Sequence, residues 1–579
     1  MTASAPASPS AVRARPSARW ILPETPNTAA VAQLAAELHL PDAICRLLAS
    51  RGFGEPDHAK AYLRPRLEHL HEPNRLKDLD RAVERIVFAL RENQTIFVHG
   101  DYDVDGICST TLMTRTLTTL GGNAVPFIPR RLQDGYDLSD AGVRAAKECG
   151  AKLVITCDCG TSAHGPVAEL QSSGIDVIVT DHHLPGGPLP PAYAVLNPKR
   201  PDCPSEDKDL AAVGVAFKLA LALTRAVGGN DGAVYAMLDL VALATIADVA
   251  PLRGENRVLV RYGLKLLNDP QRPGIRAMIR AAGLDRKSLT AGRVGFILAP
   301  RLNAAGRLGS AMRGVELMMT TSDEDANPIA RELEELNARR QEIDRATLET
   351  ARARVLEMDL PSTFGIALAG EGWHPGVIGI VASRIVEEFG RPAMLIALEG
   401  EQGKGSGRSI SVFDLHGALT ECRDLLQRFG GHRSAAGITI ARERVDEFAA
   451  RFNAVAASRL TEDDLVPELR VDLELPLSEA NSELETLLRY IEPCGVGNPS
   501  PLLVSRGLVV ASPPRVVGKD GLKVAFSAEG CTLVMVGWGM GPRARELDVG
   551  MRVDVAYRLE RDEWNGESRL QGRLADFRV

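Results

Sequence analysis

The stretch Val98-His99-Gly100-Asp101-Tyr102-Asp103-Val104-Asp105-Gly106 places a histidine and three alternate aspartates behind the apolar, β-branched run Thr95-Ile96-Phe97-Val98. That run reads as a buried strand. Side chains at alternate positions of an extended segment point the same way, so the three carboxylates would face one another. Ionised carboxylates that close repel unless cations sit between them. An acidic, solvated turn is the plain alternative while this stretch stands alone. It does not stand alone. Leu153-Val154-Ile155-Thr156 ends in Cys157-Asp158-Cys159-Gly160, and Asp176-Val177-Ile178-Val179-Thr180 ends in Asp181-His182-His183. A fourth acid, Asp248, follows the Ala/Leu-rich run 238–247, which suits a buried helix better than a strand. Carboxylates with one or two imidazoles suit Mn²⁺ or Mg²⁺, with Fe²⁺ and Co²⁺ also accommodated. The thiolate set of structural zinc is absent. Cys157 and Cys159 flank Asp158, but the nine cysteines are scattered without CxxC spacing and read as reduced thiols.

The elements that would hold these residues follow from the pattern around them. Helical segments, such as Ser109 to Leu120, separate the strands, which makes a βαβ series with a parallel sheet. In such a sheet the C-terminal strand ends share one edge, where ligands bind at the switch point. Three successive strands therefore bring Asp103 and Asp105, then Asp158, then His182 and His183 to one rim. Arg130-Arg131, before a polar loop, is either a solvated edge or a phosphate contact.

The rest of the 579-residue chain is long enough for several domains, with 45% hydrophobic and 25% charged residues and a net charge of −7. Nothing global marks it for nucleic acid, so such a surface has to be local. No apolar run is long enough to span a bilayer. Residues 1–30 are rich in Ala, Ser and Pro without an apolar signal core, reading as a disordered tail of a cytoplasmic protein. Residues 31–90 are amphipathic and helical. Residues 322–358 carry helical periodicity with dense charge, enough to carry the chain to a second domain. There, Gly372-Trp373-His374-Pro375-Gly376, Gly403-Lys404-Gly405-Ser406-Gly407-Arg408 and Gly430-Gly431-His432 are Gly-rich stretches that would let a phosphodiester approach the backbone closely. Their spacing is not that of a nucleotide P-loop. From about 466 onward, short alternating segments divided by turns such as Trp564-Asn565-Gly566 predict a small antiparallel barrel or sandwich.

Asp-Tyr-Asp-Val-Asp-Gly, Asp158-Cys159-Gly160, Asp181-His182-His183 and Asp248, in this order, resemble the four motifs of the DHH phosphoesterase superfamily. Pro300-Arg301-Leu302-Asn303-Ala304-Ala305-Gly306-Arg307 is similar to the segment that closes this domain in the RecJ exonuclease branch, and the Gly-rich stretches resemble the DHHA1 domain. The resemblance covers residues 90–579 and departs only in detail, as at Cys494 in Glu492-Pro493-Cys494-Gly495-Val496-Gly497-Asn498-Pro499, where the family carries an aromatic. It implies an α/β multidomain fold. The tail 1–30 would be followed by a parallel-sheet DHH domain with an N-terminal helical part (31–320), a long connecting helix (321–360), a smaller α/β DHHA1 domain (361–465) and an OB-like β-barrel (466–579).

The resemblance also implies an activity: metal-dependent hydrolysis of single-stranded DNA from the 5′ end to mononucleotides, in repair and recombination. Two Mn²⁺ or Mg²⁺ ions would be held, one by His99, Asp103 and Asp158, the other by Asp105, Asp158, His182 and Asp248. His183 would contact the scissile phosphate. Asp101 and Asp181 would orient the ligands. Arg307, with Arg301 and Asn303, would offset charge on that phosphate. Arg131, Ser406 and Arg408 would take the 5′-terminal phosphate, and His432 would lie near the strand. Implied partners are single-stranded DNA, single-strand-binding protein and a RecQ-type helicase, with no membrane and a monomeric state. The alternatives are another phosphodiesterase of the superfamily, acting on short oligonucleotides or cyclic dinucleotides, and a non-catalytic replication scaffold.

Overall fold

The computed structural model describes residues 18–131, 133–135, 137–564 and 567–579. The chain divides into two compact units, Pro23–Ala338 with Val471–Val579, and Arg339–Arg470 with the N-terminal segment to Leu22. The expected disordered tail does not reach residue 30. Residues 1–17 lie outside the described residues, but Arg19–Ile21 forms strand β1, paired in parallel with Glu468–Arg470. Helix α1 (Thr28–Leu38) begins behind Asn27, whose side chain accepts from the Ala29 N–H. A partner some 450 residues away leaves no local trace in composition.

Helices α2 (Asp42–Ser50), α3 (Pro56–Leu63) and α4 (Leu79–Arg91) lead to the first sheet. Its strands are β2 (Thr95–Gly100), β3 (Asn123–Phe127), β4 (Leu153–Cys157), β5 (Asp176–Thr180) and β6 (Ala194–Leu196), all parallel in the order β3-β2-β4-β5-β6. Period-two alternation sorts the side chains between two layers. Ile96, Val98, Leu153, Ile155 and Ile178 pack with α5 (Val104–Thr119) and α8 (Ala212–Ala226). Phe97, Val154, Val177 and Val179 pack with α6 (Asp140–Glu148) and α7 (His164–Ser172). The chain leaves β2 toward β3 and returns on the other side at β4. The switch point therefore lies between the ends of β2 and β4.

Helices α9 (Asp231–Tyr235), α10 (Leu238–Ala247), α11 (Gly254–Asn268), α12 (Pro273–Ala281) and α13 (Ala291–Arg293) follow. A π-helical turn, Val294–Leu298, leads into α14 (Ala299–Leu308) and α15 (Met312–Met319). Helix α16 (Asp323–Leu356) then runs from one unit into the other.

In the second unit, β7 (Ile366–Glu371), α17 (Ile378–Phe389), β8 (Ala393–Glu399), β9 (Gln402–Arg408), α18 (Leu415–Glu421), β10 (Arg428–Gly431), β11 (Ala435–Ala441) and α19 (Val445–Arg459) make a mixed sheet, order β10-β11-β9-β8-β7. Only β7 and β8 run parallel in it. The partner of β1 is β12 (Glu468–Arg470).

The C-terminal part comprises β13 (Leu473–Glu474), α20 (Ser482–Leu488), β14 (Leu503–Val510), β15 (Arg515–Val517), β16 (Gly521–Ala528), β17 (Cys531–Gly537), β18 (Arg552–Trp564) and β19 (Glu567–Arg578). The order β14-β18-β19-β17-β16, with β16 pairing back to β14, closes a five-stranded ring. It is a barrel rather than a sandwich, and its β17–β19 pair is parallel. The turn expected at Asn565-Gly566 lies outside the described residues. Its core is shared with α1–α3: Val31, Leu34, Ile44, Leu47, Leu48 and Tyr62 join Leu503, Phe526, Tyr557 and Phe577 in one apolar cluster. The helices at 31–63, read as part of the catalytic domain, thus bury their apolar faces against the barrel. Sequence order names no partner for an amphipathic helix.

Candidate metal centre

At the end of β2 the chain does not continue extended. Asp103 caps α5, its Oδ1 accepting from the N–H groups of Asp105 (3.0 Å) and Gly106 (3.2 Å). A Cβ on Gly106 would lie 2.2 Å from the Asp101 carbonyl oxygen, so the tight turn needs glycine. Asp105 therefore lies in the first helical turn, not on an extended segment as the alternation suggests. The helix starts at Val104, five residues earlier than the periodicity places it, because Asp103 supplies an N-cap. Asp105 is fully buried and accepts from the N–H groups of Ala212 and Val213, both at 2.8 Å, at the start of α8. The positive end of that helix steadies its charge.

Asp158 follows β4 in the left-handed region, φ 66°, which aspartate tolerates better than most residues. Asp181 follows β5. Its carboxylate accepts from the backbone of Thr161, His182 and His183 and from the His183 ring (2.8 Å). Burial opposes ionisation of Asp181, but the bond from His183 outweighs it and holds the carboxyl well below the usual range. His183 is in turn raised to about 9, the Asp181 bond overcoming burial. Its Nδ1 also faces Asp158 at 3.9 Å. His182, lowered to about 3 by burial and the charge of His183, is a neutral donor. Its Nε2 lies 3.3 Å from Asp158 Oδ1 and 3.6 Å from Asp248 Oδ2, the latter capping α10.

Donor atoms converge within 4.8 Å in three groups: Asp105, His182 and Asp248; Asp101, Asp103 and Asp158; and Asp158, His182 and His183. Burial, then mutual repulsion, pushes Asp105 up to about 7, Asp248 up to about 8, and Asp101 and Asp158 well above the usual carboxylate value. Asp101 Oδ1, Asp158 Oδ1 and His99 Nε2 are buried with no hydrogen-bond partner among the described residues. Orphaned carboxylate oxygens in a cluster of like charges, beside the neutral His182 ring, are the donor set of a hard divalent cation. Two expectations shift. Asp101 enters a donor group directly. His99 stays outside all three, its Nδ1 3.6 Å from Cys159 Sγ and its ring against Phe127, on the α6 face of the sheet.

Arg131 stacks over the Tyr102 ring at 4.8 Å, and α14 presses on the same loop, a Cβ on Gly306 lying 2.2 Å from the Tyr102 carbonyl oxygen. Burial and Asp101 push Tyr102 up to about 12, while Arg131 and Arg307 draw it down, which places both cations beside the aspartate loop. Arg301 does not join them. It is buried, paired with Glu334 on α16 and bonded to the Ile297 carbonyl, so it fastens helices together. Asn303 is half-buried on α14. Asp137 was not anticipated: it accepts from the Gly160 N–H at 2.7 Å and so fastens the turn behind Asp158. Its position in Gly135-Tyr136-Asp137 was the available signal, although Leu132 and Tyr136 lie outside the described residues.

In the other unit the Gly-Lys-Gly-Ser-Gly-Arg stretch is strand β9, not a loop. Added Cβ atoms on Gly403, Gly405 and Gly407 would meet Ile396, Ile438 and Met394 at 2.6, 2.5 and 2.6 Å, so these glycines serve packing rather than ligand approach. Lys404, Ser406 and Arg408 occupy the opposite face. The first turn of α17 lies over them, a Cβ on Gly379 falling 2.8 Å from Ser406 Oγ and 3.2 Å from Arg408 Nη2. His432 is exposed between β10 and β11.

The barrel adds a feature the sequence hid. Arg515, Lys523, Val536, Arg573 and Arg558 stand directly opposite one another across five strands. Burial and the facing Arg573 push Arg558 down. Trp538, 65% exposed, flanks the row. Like charges directly opposite destabilise a sheet, so this row suits a polyanion.

Comparisons with known proteins bear on all three parts. The DHH family N-terminal domain pattern matches residues 95–245, the DHHA1 domain 362–458 and the RecJ OB domain 471–576. The chain is 36% identical over 564 residues to the single-stranded-DNA-specific exonuclease RecJ of Bacillus subtilis, spanning 97% of this chain and 71% of that protein. It is 38% identical over 563 residues to the Escherichia coli exonuclease of the same name, spanning 93% and 96%. The crystal structure of Thermus thermophilus RecJ in complex with Mn²⁺ is similar at a TM-score of 0.84 and 35% identity, covering 97% of this chain and 79% of that one. The Mg²⁺ complex gives 0.78 at 33% identity, covering 97% and 78%.

Proposed function

The chain belongs to the RecJ family of single-stranded-DNA-specific exonucleases, and from that premise we propose how its residues carry out the reaction. It is a metal-dependent nuclease. The observation that carries this reading is the convergence of the Asp105/His182/Asp248 and Asp101/Asp103/Asp158 groups at the switch point. The first group would hold one divalent cation and the second another, while His99, whose Nε2 faces Gly142 on α6, would stand outside both. The donor set takes Mn²⁺ or Mg²⁺ alike. Such a cation pair supplies Lewis acidity, making water acidic enough to attack at neutral pH and offsetting charge at phosphorus.

The remaining chemistry belongs to the side chains. Asp181, bonded to the His183 ring at 2.8 Å, orients that imidazole toward the non-bridging oxygens of the scissile phosphate, and Arg307 adds a positive charge. Water oxygen joins phosphorus, the P–O3′ bond breaks, and the departing 3′-oxygen takes a proton. Arg131 beside the aspartate loop, and Ser406 and Arg408 on β9, take phosphates of the strand, the terminal 5′-phosphate among them. His432 lies along the strand. The cationic row on the barrel, with Trp538 to stack a base, gives single-stranded DNA a track.

No described helix is long and apolar enough to cross a membrane. We place the protein in the cytoplasm as a monomer acting in repair and recombination. Its partners, taken from the family resemblance alone, are single-strand-binding protein and a RecQ-type helicase.

The test is digestion, with Mn²⁺, of long single-stranded DNA labelled at either end, beside blunt duplex. Early release of 5′-labelled mononucleotide, a ladder of 3′-labelled products and intact duplex are expected. Internal cuts, or cleavage of dinucleotides alone, would move the protein elsewhere in the superfamily. Inactivity at saturating Mn²⁺ would leave only the scaffold reading.

A further inference from the structure

The stretch Glu492–Pro499 carries no donor to the metal centre, yet its backbone is fastened to the loop that follows Asp248. Beyond Asp248 comes Val249 at φ 61°, a β-branched residue in the left-handed region that is 60% exposed. Such a conformation persists only where the surroundings over-determine it. Upstream the restraint is α10, through the bonds Asp248 N–H to Ala244 (2.9 Å) and Ala250 N–H to Thr245 (3.2 Å). Downstream it comes from the entrance to the barrel. The Leu252 N–H donates to the Val496 carbonyl at 2.7 Å, and Arg253 Nε donates to the Gly497 carbonyl at 2.5 Å. Added Cβ atoms on Gly495 and Gly497 would lie 2.7 Å from Leu252 and 3.0 Å from Pro251, so both glycines admit close backbone approach.

The turn that makes these contacts is itself rigid. The Arg257 guanidinium donates to the carbonyls of Tyr490, Ile491, Glu492 and Pro493 at 2.8–3.3 Å, and to that of Tyr62 at 3.0 Å. Asn498 Nδ2 donates to the carbonyls of Ile491 and Pro493, and its Oδ1 accepts from Tyr62 at 2.6 Å. Gly495 and Asn498 exchange two backbone bonds. What the turn offers outward is a pair of carbonyls, of Val496 and Gly497, aimed at residues 252 and 253.

We propose that the Gly495–Asn498 turn, gripped by Arg257, is a positioning device that holds Asp248 toward Asp105 and His182, so that the barrel completes one of the two cation sites. The inference rests on the metal-centre reading above. Arg253, Arg257 and Gly497 act through Asp248 and are positioning residues.

The experiment is titration calorimetry of Mn²⁺ into the full-length chain, without DNA. Arg253→Ala removes one tie from the loop side, and Gly497→Ala, at φ 72°, disturbs the turn from the other. Each variant is expected to weaken one Mn²⁺ site by about 10–100-fold, the scale of an outer-shell partner, while leaving the other unchanged. Adding Val249→Gly to Arg253→Ala relieves the strained φ and is expected to restore most of that loss. Asp248→Asn runs in parallel. If it weakens the same site while both positioning variants bind as wild type, or if Val249→Gly restores nothing, the positioning role is overturned and the metal reading stands. If Asp248→Asn binds two ions normally, both are overturned.

Discussion

Asp158→Asn should inactivate the enzyme and yet stabilise the metal-free protein. The side chain keeps its shape, and asparagine accepts the left-handed backbone as aspartate does. What changes is charge. Asp158 shares a 4.8 Å sphere with the carboxylates of Asp101 and Asp103. Two full charges about 4.8 Å apart at an effective dielectric of ~20 repel by about 3.5 kcal/mol. Asp158 and Asp101 are both pushed well above the usual carboxylate value and so share protons, which makes that figure a ceiling at neutral pH. The contact with His182 at 3.3 Å offsets little, because burial keeps that ring neutral. A net gain of about 1–3 kcal/mol at pH 8 raises the melting temperature of the catalytic part by about 2–12 °C, at ~2–4 °C per kcal/mol for a body of this size. The assay is differential scanning calorimetry with EDTA, paired with Mn²⁺ titration and single-strand digestion. A variant that melts at or below wild type without metal, or one that keeps two-ion affinity, would refute the account of Asp158 as a crowded carboxylate awaiting cations.

Two further outcomes follow from the same geometry. Asp105 and Asp248, raised to about 7 and about 8 from the usual 3.8, bind more protons folded than unfolded. Their contribution to metal-free stability is present in full below pH 4 and is lost as pH rises through 7–8. Melting in EDTA should therefore fall between pH 5 and 9, less steeply in Asp105→Asn and not at all with saturating Mn²⁺; a flat wild-type profile would contradict the assignment. On the barrel, Lys523→Ala and Arg573→Ala should weaken binding of any single-stranded sequence alike, each lowering the slope of log affinity against log salt by about 0.7. An unchanged slope would remove the row from the DNA track.

The rim of the sheet was legible because its signals are local. A β-branched run followed by Asp or His can be recognised within ten residues, and parallel connectivity sends every such end to one edge. Hence Asp103, Asp105, Asp158 and His182 are legible from strand ends alone, whereas Asp248 follows a helix and carries no such signal. The weaker inferences failed where a local pattern had two physical meanings. Alternate aspartates suggested an extended segment, but Asp103 as a cap turns the second into a helix. Alternate glycines suggested a phosphate loop, but their missing Cβ atoms make room for Ile396, Ile438 and Met394. Arg301, named for phosphate, instead spans two helices to Glu334.

By itself the sequence determined the order of domains, the parallel sheet, the donor types at its rim and hence the class of cation, since these depend on residue type and short-range periodicity. The tertiary structure decided what depends on pairs far apart in the chain. Strand register alone aligns Arg515, Lys523, Arg573 and Arg558. Burial brings α1–α3 to the barrel core, and burial with carboxylate crowding lifts Asp105 and Asp248 toward neutrality. Backbone hydrogen bonds carry no sequence signature, so only the folded chain could show that a glycine turn near residue 496 grips the loop behind Asp248.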